Sequence, residues 1–313
     1  MLNFNSNIIG SQRDRVLRNA PPLPFGDFYI QLQVVAGGGA GSADIGGGGG
    51  AGGVRNESNY LINDLYTYSI VVGEGHDGIF QDPWSSDPPT QSNVSGSNSF
   101  FINNNTGELV DSWGGGCAGT GVLRVGNKGG SGGGGGGFNG AGGPAAGPNL
   151  ANAGGNGAPD PLIGGGGGGG ASTAGKSGTG GNDSEGGDGV AILGFNSGSQ
   201  FVGGGGAGGR LSTTGGGIGG GGDSGVYTGN PATNIPPQKG QPNTGGGGGG
   251  ITGIPTAAYT SSFNTGGGSG IVVIYYKGIQ QAIGGEVETR ELNDGFYTQH
   301  IFTASGQFLP VAH

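Results

Sequence analysis

Seven consecutive glycines, Gly164 to Gly170, open the stretch GGGGGGGASTAGKSGTGG, and further runs stand at 132–137, 203–206, 219–222 and 245–250. Ordering such a run costs more backbone entropy than ordering any other sequence. An α-helix cannot absorb it, at about 1 kcal/mol per glycine relative to alanine. The run folds only in a repeating geometry that returns hydrogen bonds for most of its residues. Polyproline II is such a geometry, with three residues per turn, about 3.1 Å rise, and every N–H and C=O pointing outward to a neighbour. Glycine alone lets several of these helices lie side by side, because a Cβ on an inner face would wedge them apart. Seven residues then span about 22 Å, the thickness of a small domain.

Other readings of the glycine fail on pattern. Gly 87 and Pro 16 of 313 residues would by themselves describe a low-complexity chain. Glycine does not recur at every third residue, which excludes collagen. The 13 Phe, 9 Tyr and 2 Trp fall in short clusters that a flexible linker lacks. GASTAGKS at 170–177 matches the phosphate-binding pattern G-x-x-x-x-G-K-[ST]. At this glycine content, however, two required glycines fall into place in about one window in thirteen. No apolar strand leads into the motif, and GTGGNDSEGGDG after it cannot form the helix whose N-terminus would hold a phosphate. Lys176 therefore reads as a solvated charge on a loop leaving a glycine helix, and no nucleotide is expected.

Charge and reactive residues narrow the function. The net charge is −9 and the 11 Lys and Arg are scattered, so no basic stripe exists to meet nucleic acid. The single Cys117 forbids an intrachain disulfide. MLNFNSNIIGSQRDRVLR lacks the layout of a signal peptide, and no run of about 18 apolar residues occurs, which predicts a soluble product made in a cytoplasm. His76 lies between Glu74 and Asp77 but reads as a turn residue after a strand, and His300 reads as a structural hydrogen-bonding group. His313 is terminal, and no zinc-type spacing joins the histidines to Cys117. Asp183, Glu185 and Asp188 offer oxygen ligands at short spacing, yet read as a solvated acidic loop. No nucleophile, base and acid fall into a recognisable order. We expect no enzyme, no cofactor and no metal.

The layout follows composition. Residues 1–26, with Arg13, Arg15 and Arg18 and a Pro-rich exit, read as an attachment arm. Residues 27–113 are β-rich: FYIQLQVV sets Ile30, Leu32 and Val34 on one face, and YTYSIVVGEG sets Tyr66, Tyr68, Ile70 and Val72 on one face. SFFI and ELVDSW flank NNNTG as a hairpin. Residues 114–268 are the glycine scaffold with its loops, interrupted by the apolar GVAILGF at 189–195. Residues 269–313 close the chain with a strand buried on both faces, 271–276, and a hairpin from 296 to 309. The expected fold is mainly β with polyglycine II helices, short strands flanking a packed glycine-helix sandwich with long display loops, and essentially no α-helix.

QLQVVAGGGAGS, the glycine runs, GGSGIVVIYY at 267–276 and YTQHIFTASGQF at 297–308 resemble the glycine-rich domain of bacteriophage tail-fibre and other virion proteins. The middle is similar to the polyglycine II adhesins at the tips of T-even-type phage tail fibres. The first resemblance covers about 28–309. It departs at Tyr275, where the family usually has Arg, and in placing the HTFTSSGTF-like element at the C-terminus, as in a chain that ends at the domain edge. It implies a virion structural protein that binds a bacterial surface receptor, an outer-membrane protein or a polysaccharide. Loops 144–163, 171–202, 223–244 and 251–265 would make the contact, with Phe195, Tyr227, Tyr259 and Phe263 as candidate binding residues. Arg13, Arg15 and Arg18 would serve attachment to other virion or tail proteins, in a homo-oligomer or in several copies. The alternative is an architectural capsid-decorating or connector protein without a receptor. An ice- or polysaccharide-binding glycine-helix protein would need a regular G-G-x face, which is missing.

The nucleotide reading is testable. Equilibrium dialysis should detect no ATP binding, and Lys176→Ala should leave the melting temperature unchanged; an ATP affinity lost in that variant would restore it.

Overall fold

The structure is a computed structural model that describes residues 26–78, 95–179, 184–226, 228, 233–253 and 265–311. The candidate residues Arg13, Arg15, Arg18, Tyr227, Tyr259 and Phe263, with His313 and Asp183, lie outside the described residues.

Among the described residues there are fourteen strands and no α-helix. In chain order they are β1 (Phe28–Val35), β2 (Val54–Ile62), β3 (Tyr68–Val71), β4 (Ser99–Asn103), β5 (Leu109–Ser112), β6 (Val190–Ala191), β7 (Phe201–Val202), β8 (Gly225–Val226), β9 (Ile251–Thr252), β10 (Ile271–Lys277), β11 (Ala282–Ile283), β12 (Glu286–Leu292), β13 (Gly295–Phe302) and β14 (Gly306–Pro310). Two five-stranded antiparallel sheets, ordered β12-β13-β10-β1-β2 and β11-β14-β3-β4-β5, face each other as a sandwich. Ile30, Leu32, Val34, Val272, Ile274 and Phe302 of the first sheet pack on Tyr68, Ile70, Phe101, Val110 and Phe308 of the second. The alternation in β1 and β3 is thus what builds the core. β10 is buried on both faces: Ile271 and Val273 look away from the sandwich, onto the β6–β7 hairpin through Ile192 and Val202.

The sandwich covers one end of a glycine lattice, and the strands run into it without a break. β1 continues as 36–42, β5 as 113–119, and the segments 46–53 and 265–270 lead into β2 and β10. The 46–53 segment shows how the lattice is made. Gly46, Gly49 and Gly52 donate to Ile251, Gly248 and Gly245; Gly47, Gly50 and Gly53 to Gly119, Gly116 and Trp113; Gly48 and Ala51 to Gly166 and Gly169. Its carbonyls accept with the same period, from Gly209 and Gly206, from Ser42, Gly39 and Ala36, and from Gly134 and Ser131. A repeat of three is the polyproline II repeat. Six neighbours surround this helix, each bonded at every third residue.

The next helix out repeats the scheme. Gly165, Gly168 and Ala171 donate to Gly209, Gly206 and Gly203, while Gly166 and Gly169 donate to Gly135 and Gly132. Side chains are excluded by the same contacts: a Cβ on Gly49 would lie on the Gly39 carbonyl, and one on Gly168 would lie on the Gly49 carbonyl. Interior positions that are not glycine hold small residues such as Ala40, Ala51, Cys117, Ser131 and Ala207. Burial pushes the Cys117 thiol up to about 11, so it is inert near neutrality.

Three expectations need correction. The lattice is not confined to 114–268, because 36–42 and 46–53 are part of it; the strands and the scaffold interleave along the chain. The strands at 296–309 do not form a hairpin: β13 pairs with β10 and β12, while β14 crosses to the other sheet and pairs with β3 and β11. Both edges of β13 are already occupied, so the chain after Phe302 can pair only elsewhere. The long inter-glycine segments are also not loops throughout. Asn152 and Gly155 accept from Gly132 and Gly135, and Lys176 accepts from Gly167 and donates to the Glu185 carbonyl. Peripheral helices need glycine only where a Cβ would face a neighbour, so Asn156 and Lys176 project outward. The Lys176 ammonium pairs there with Glu185, on a lattice helix rather than at a loop tip.

His300 is fully buried between Tyr276 and Phe308. Its Nδ1–H donates to the Gly284 carbonyl (2.8 Å), the Tyr276 hydroxyl donates to Nε2 (3.1 Å), and that hydroxyl accepts from Gln281 N–H (2.9 Å). Every position is filled by the neutral ring, and burial lowers the His300 pKa below 6.5. The unfolded chain therefore binds this proton first as pH falls.

Two measurements check the fold. Gly49→Ala should destabilise the protein by about 3 kcal/mol in denaturant unfolding, whereas Gly198→Ala, with nothing near its added methyl, should change stability by less than about 0.5 kcal/mol. Unfolding midpoints should hold steady above pH about 6.5 and fall below it, and His300→Gln should remove the part of that slope due to this ring.

Candidate recognition face

Connectivity gives the lattice two unlike ends. Segments leaving the sandwich, such as 36–42, 114–120 and 203–209, run to a far end, and segments such as 46–53, 164–171 and 265–270 return. The far end is made of the turns between them. Residues 43–45, 121–125, 138–139, 159–163 and 210–213 are such turns, and β8 and β9 also end there.

These turns are joined to one another. Arg124 Nη1 donates to the Phe138 carbonyl (3.1 Å) and its guanidinium lies over the Phe138 ring, 5.6 Å from the centroid. Asn139 N–H donates to the Ala158 carbonyl (2.8 Å), and Ala158 N–H closes the 159–163 turn on Gly164 (2.8 Å). Thr252 Oγ1 donates to the Arg210 carbonyl (2.6 Å), and Asp44 N–H to Gly253 (3.0 Å). Thr214 and Ser224 share a buried hydroxyl pair (3.0 Å), and Val226 and Ile235 bond reciprocally. Asp44, Ile45, Phe138 and Asn139 hold positive φ values of 54° to 65°, a conformation held here by these tight reversals. Burial raises the Asp44 carboxyl pKa.

The turns project aliphatic side chains into solvent: Leu211 is 72% exposed, Val122 61% and Val125 58%, with Leu162, Ile163 and Ile235 also exposed. These six come from separate turns at the far end, while other exposed apolar side chains, among them Tyr29, Leu65 and Ile218, lie elsewhere on the molecule. Aromatic content, the usual mark of a binding loop, does not point to the six. The signal was present in GVLRV at 121–125 and RLS at 210–212, aliphatic residues set at the ends of glycine segments.

Of the candidate binding residues only Phe195 lies among the described residues. Phe195 sits at the opposite end, on the outer face of the first sheet. Gln33 and Gln299, both nearly inaccessible, clamp the 190–202 segment there: Gln33 donates to Ala191 O (3.2 Å) and accepts from Leu193 N–H (3.0 Å), and Gln299 accepts from Phe195 N–H (3.1 Å). Phe195 then packs edge-on to Tyr275 with Arg290 4.6 Å above its ring, and Tyr275 stacks on Tyr297. Phe195 is thus part of how the hairpin is seated. Tyr275 fills the position where arginine was expected and supplies its ring to the same row. Beside this hairpin, Gln200, Phe201, Asn243, Glu286 and Glu288 line an open groove of about 820 Å³.

The acid–base and metal candidates resolve similarly. His76 is not in a turn but in a lattice segment, its N–H on Gly38 (3.0 Å) and its carbonyl accepting from Gly267 (2.8 Å). Glu185 pairs with Lys176, and Asp188 Oδ1 accepts from Ile218 N–H (3.0 Å), so both belong to the scaffold. Among the described residues no group of three or more His, Cys, Asp or Glu side chains is placed to hold a metal ion. No helix there is long and apolar enough to cross a membrane.

Comparison with known proteins matches the chain to the family described as Glycine-rich domain, over residues 22–277. No curated protein and no solved structure matches the chain significantly. The matched span takes in the opening strand, the whole lattice and the closing strand β10, and the chain therefore belongs to the glycine-rich domain family.

Proposed function

We propose that this protein is a structural component of a phage virion, a tail-fibre or fibre-tip adhesin whose far-end turns bind a receptor on the host cell surface. The carrying observation is the set of exposed aliphatic residues, Val122, Val125, Leu162, Ile163, Leu211 and Ile235, presented from separate turns on one rigid lattice. The motif resemblance to virion glycine-rich domains supports the setting. Binding is non-covalent and uses no enzyme chemistry or cofactor. Each turn is anchored at both ends by lattice hydrogen bonds, so little ordering is left to do on contact, and affinity is not spent on it. Several copies per particle multiply a modest affinity into firm attachment. The sandwich end, together with the segment carrying Arg13, Arg15 and Arg18, is left to face other virion proteins.

The test uses exposed positions whose loss costs the fold little. Leu162→Ser combined with Leu211→Ser should leave melting and particle assembly unchanged while cutting host adsorption by about tenfold or more. Unchanged adsorption would favour the architectural alternative.

A further inference from the structure

We propose that Arg210 is the centre of an oxyanion-binding site at the far end, taking a phosphate or carboxylate group; its use on a receptor rests on the adhesin reading above. Arg210 is only 6% exposed, yet its Nε and Nη1 have no hydrogen-bond partner. It takes no part in the ion pairs among the described residues. Burying an unpaired charge costs far more than losing a hydrogen bond, so a chain that keeps one holds it for something.

Position points the same way. Arg210 is the first residue after the 203–209 helix, and its carbonyl is fixed by Thr252. Its side chain crosses the end of the neighbouring helix at Gly164, beside Ala158, the two residues that close the 159–163 turn. The rim there carries exposed Leu162, Ile163 and Leu211, with the exposed carboxylate of Asp160 on the same turn. Ser184 stands on the adjoining helix, its carbonyl accepting from Gly208 N–H (2.8 Å), and its buried hydroxyl is also without a partner. The unsatisfied guanidinium N–H groups are donors only. What such a set lacks is an acceptor carrying negative charge, which phosphate and carboxylate oxygens supply. With a net charge of −9 the chain has no long-range attraction for anions, so capture must be local to these donors.

The experiment follows the arginine Nε–H resonances of the full chain, seven in number, in phosphate-free buffer while inorganic phosphate or acetate is added. One cross-peak, identified by its absence in Arg210→Lys, should move saturably, at a concentration at least tenfold below any drift of the others. The anion that acts at lower concentration names the group. Uniform, unsaturated drift or no movement overturns the site, and the wild-type titration decides this even if the variant folds poorly. A shift of the same peak on Asp183→Asn without added anion also overturns it, because the charge would then be met inside the chain. Given a saturable shift, Arg210→Gln particles should adsorb about tenfold less well and the effective anion should compete with wild-type adsorption. Unchanged adsorption would keep the anion site and overturn its receptor role.

Discussion

Backbone hydrogen bonds between glycine helices are what everything else in this protein depends on. A polyproline II helix bonds nothing within itself, so 46–53 exists as ordered structure only because six other segments accept from it and donate to it. Each bond contributes about 1 kcal/mol net at most sites, comparable to the cost of fixing one residue. No single segment therefore comes out ahead. The gain appears when nearly every N–H and C=O is met, which makes the lattice a collective object whose parts are far less stable than the whole.

The sandwich solves the problem of starting such a lattice. Ordinary apolar packing fixes β1, β2 and β10 in place, and the segments that continue from them leave the sheet already aligned and spaced. Gln33 and Gln299 extend that control outward, tying the backbone of 190–195 to the sheet and so aiming the helices at 184–189 and 203–209. The far end inherits its rigidity from this chain of supports.

Much of this was legible in the sequence, and the failures have physical causes. The alternation of FYIQLQVV and the continuous run IVVIYY placed β1 and β10, because those strands face a core on one or both sides. β2 and β12, VRNESNYLI and EVETREL, are edge strands with mostly polar, solvent-facing residues, so no hydrophobic period marks them. The glycine runs announced the scaffold, but mixed segments such as 152–158 concealed their place in it, since their outward positions accept any side chain. Phe195 stood out as an aromatic and proved to seat a hairpin, whereas Arg210, which stands out in the structure, looks in sequence like any arginine before a turn. Burial without a partner is a property of the assembled neighbours and leaves no local trace.

A helix of identical residues bonded at every third position has a consequence for how it finds its place. Sliding Gly164 to Gly170 by one turn along its neighbours would remake the same bonds with the same atoms, so the glycines themselves carry no mark of alignment. The marks lie at the ends: Ala171 beside Val54 and Gly203, the short 159–163 turn, and strands whose side chains fit one setting. Slippage by three residues is thus the characteristic error open to this chain, and the few residues that are not glycine serve as its index.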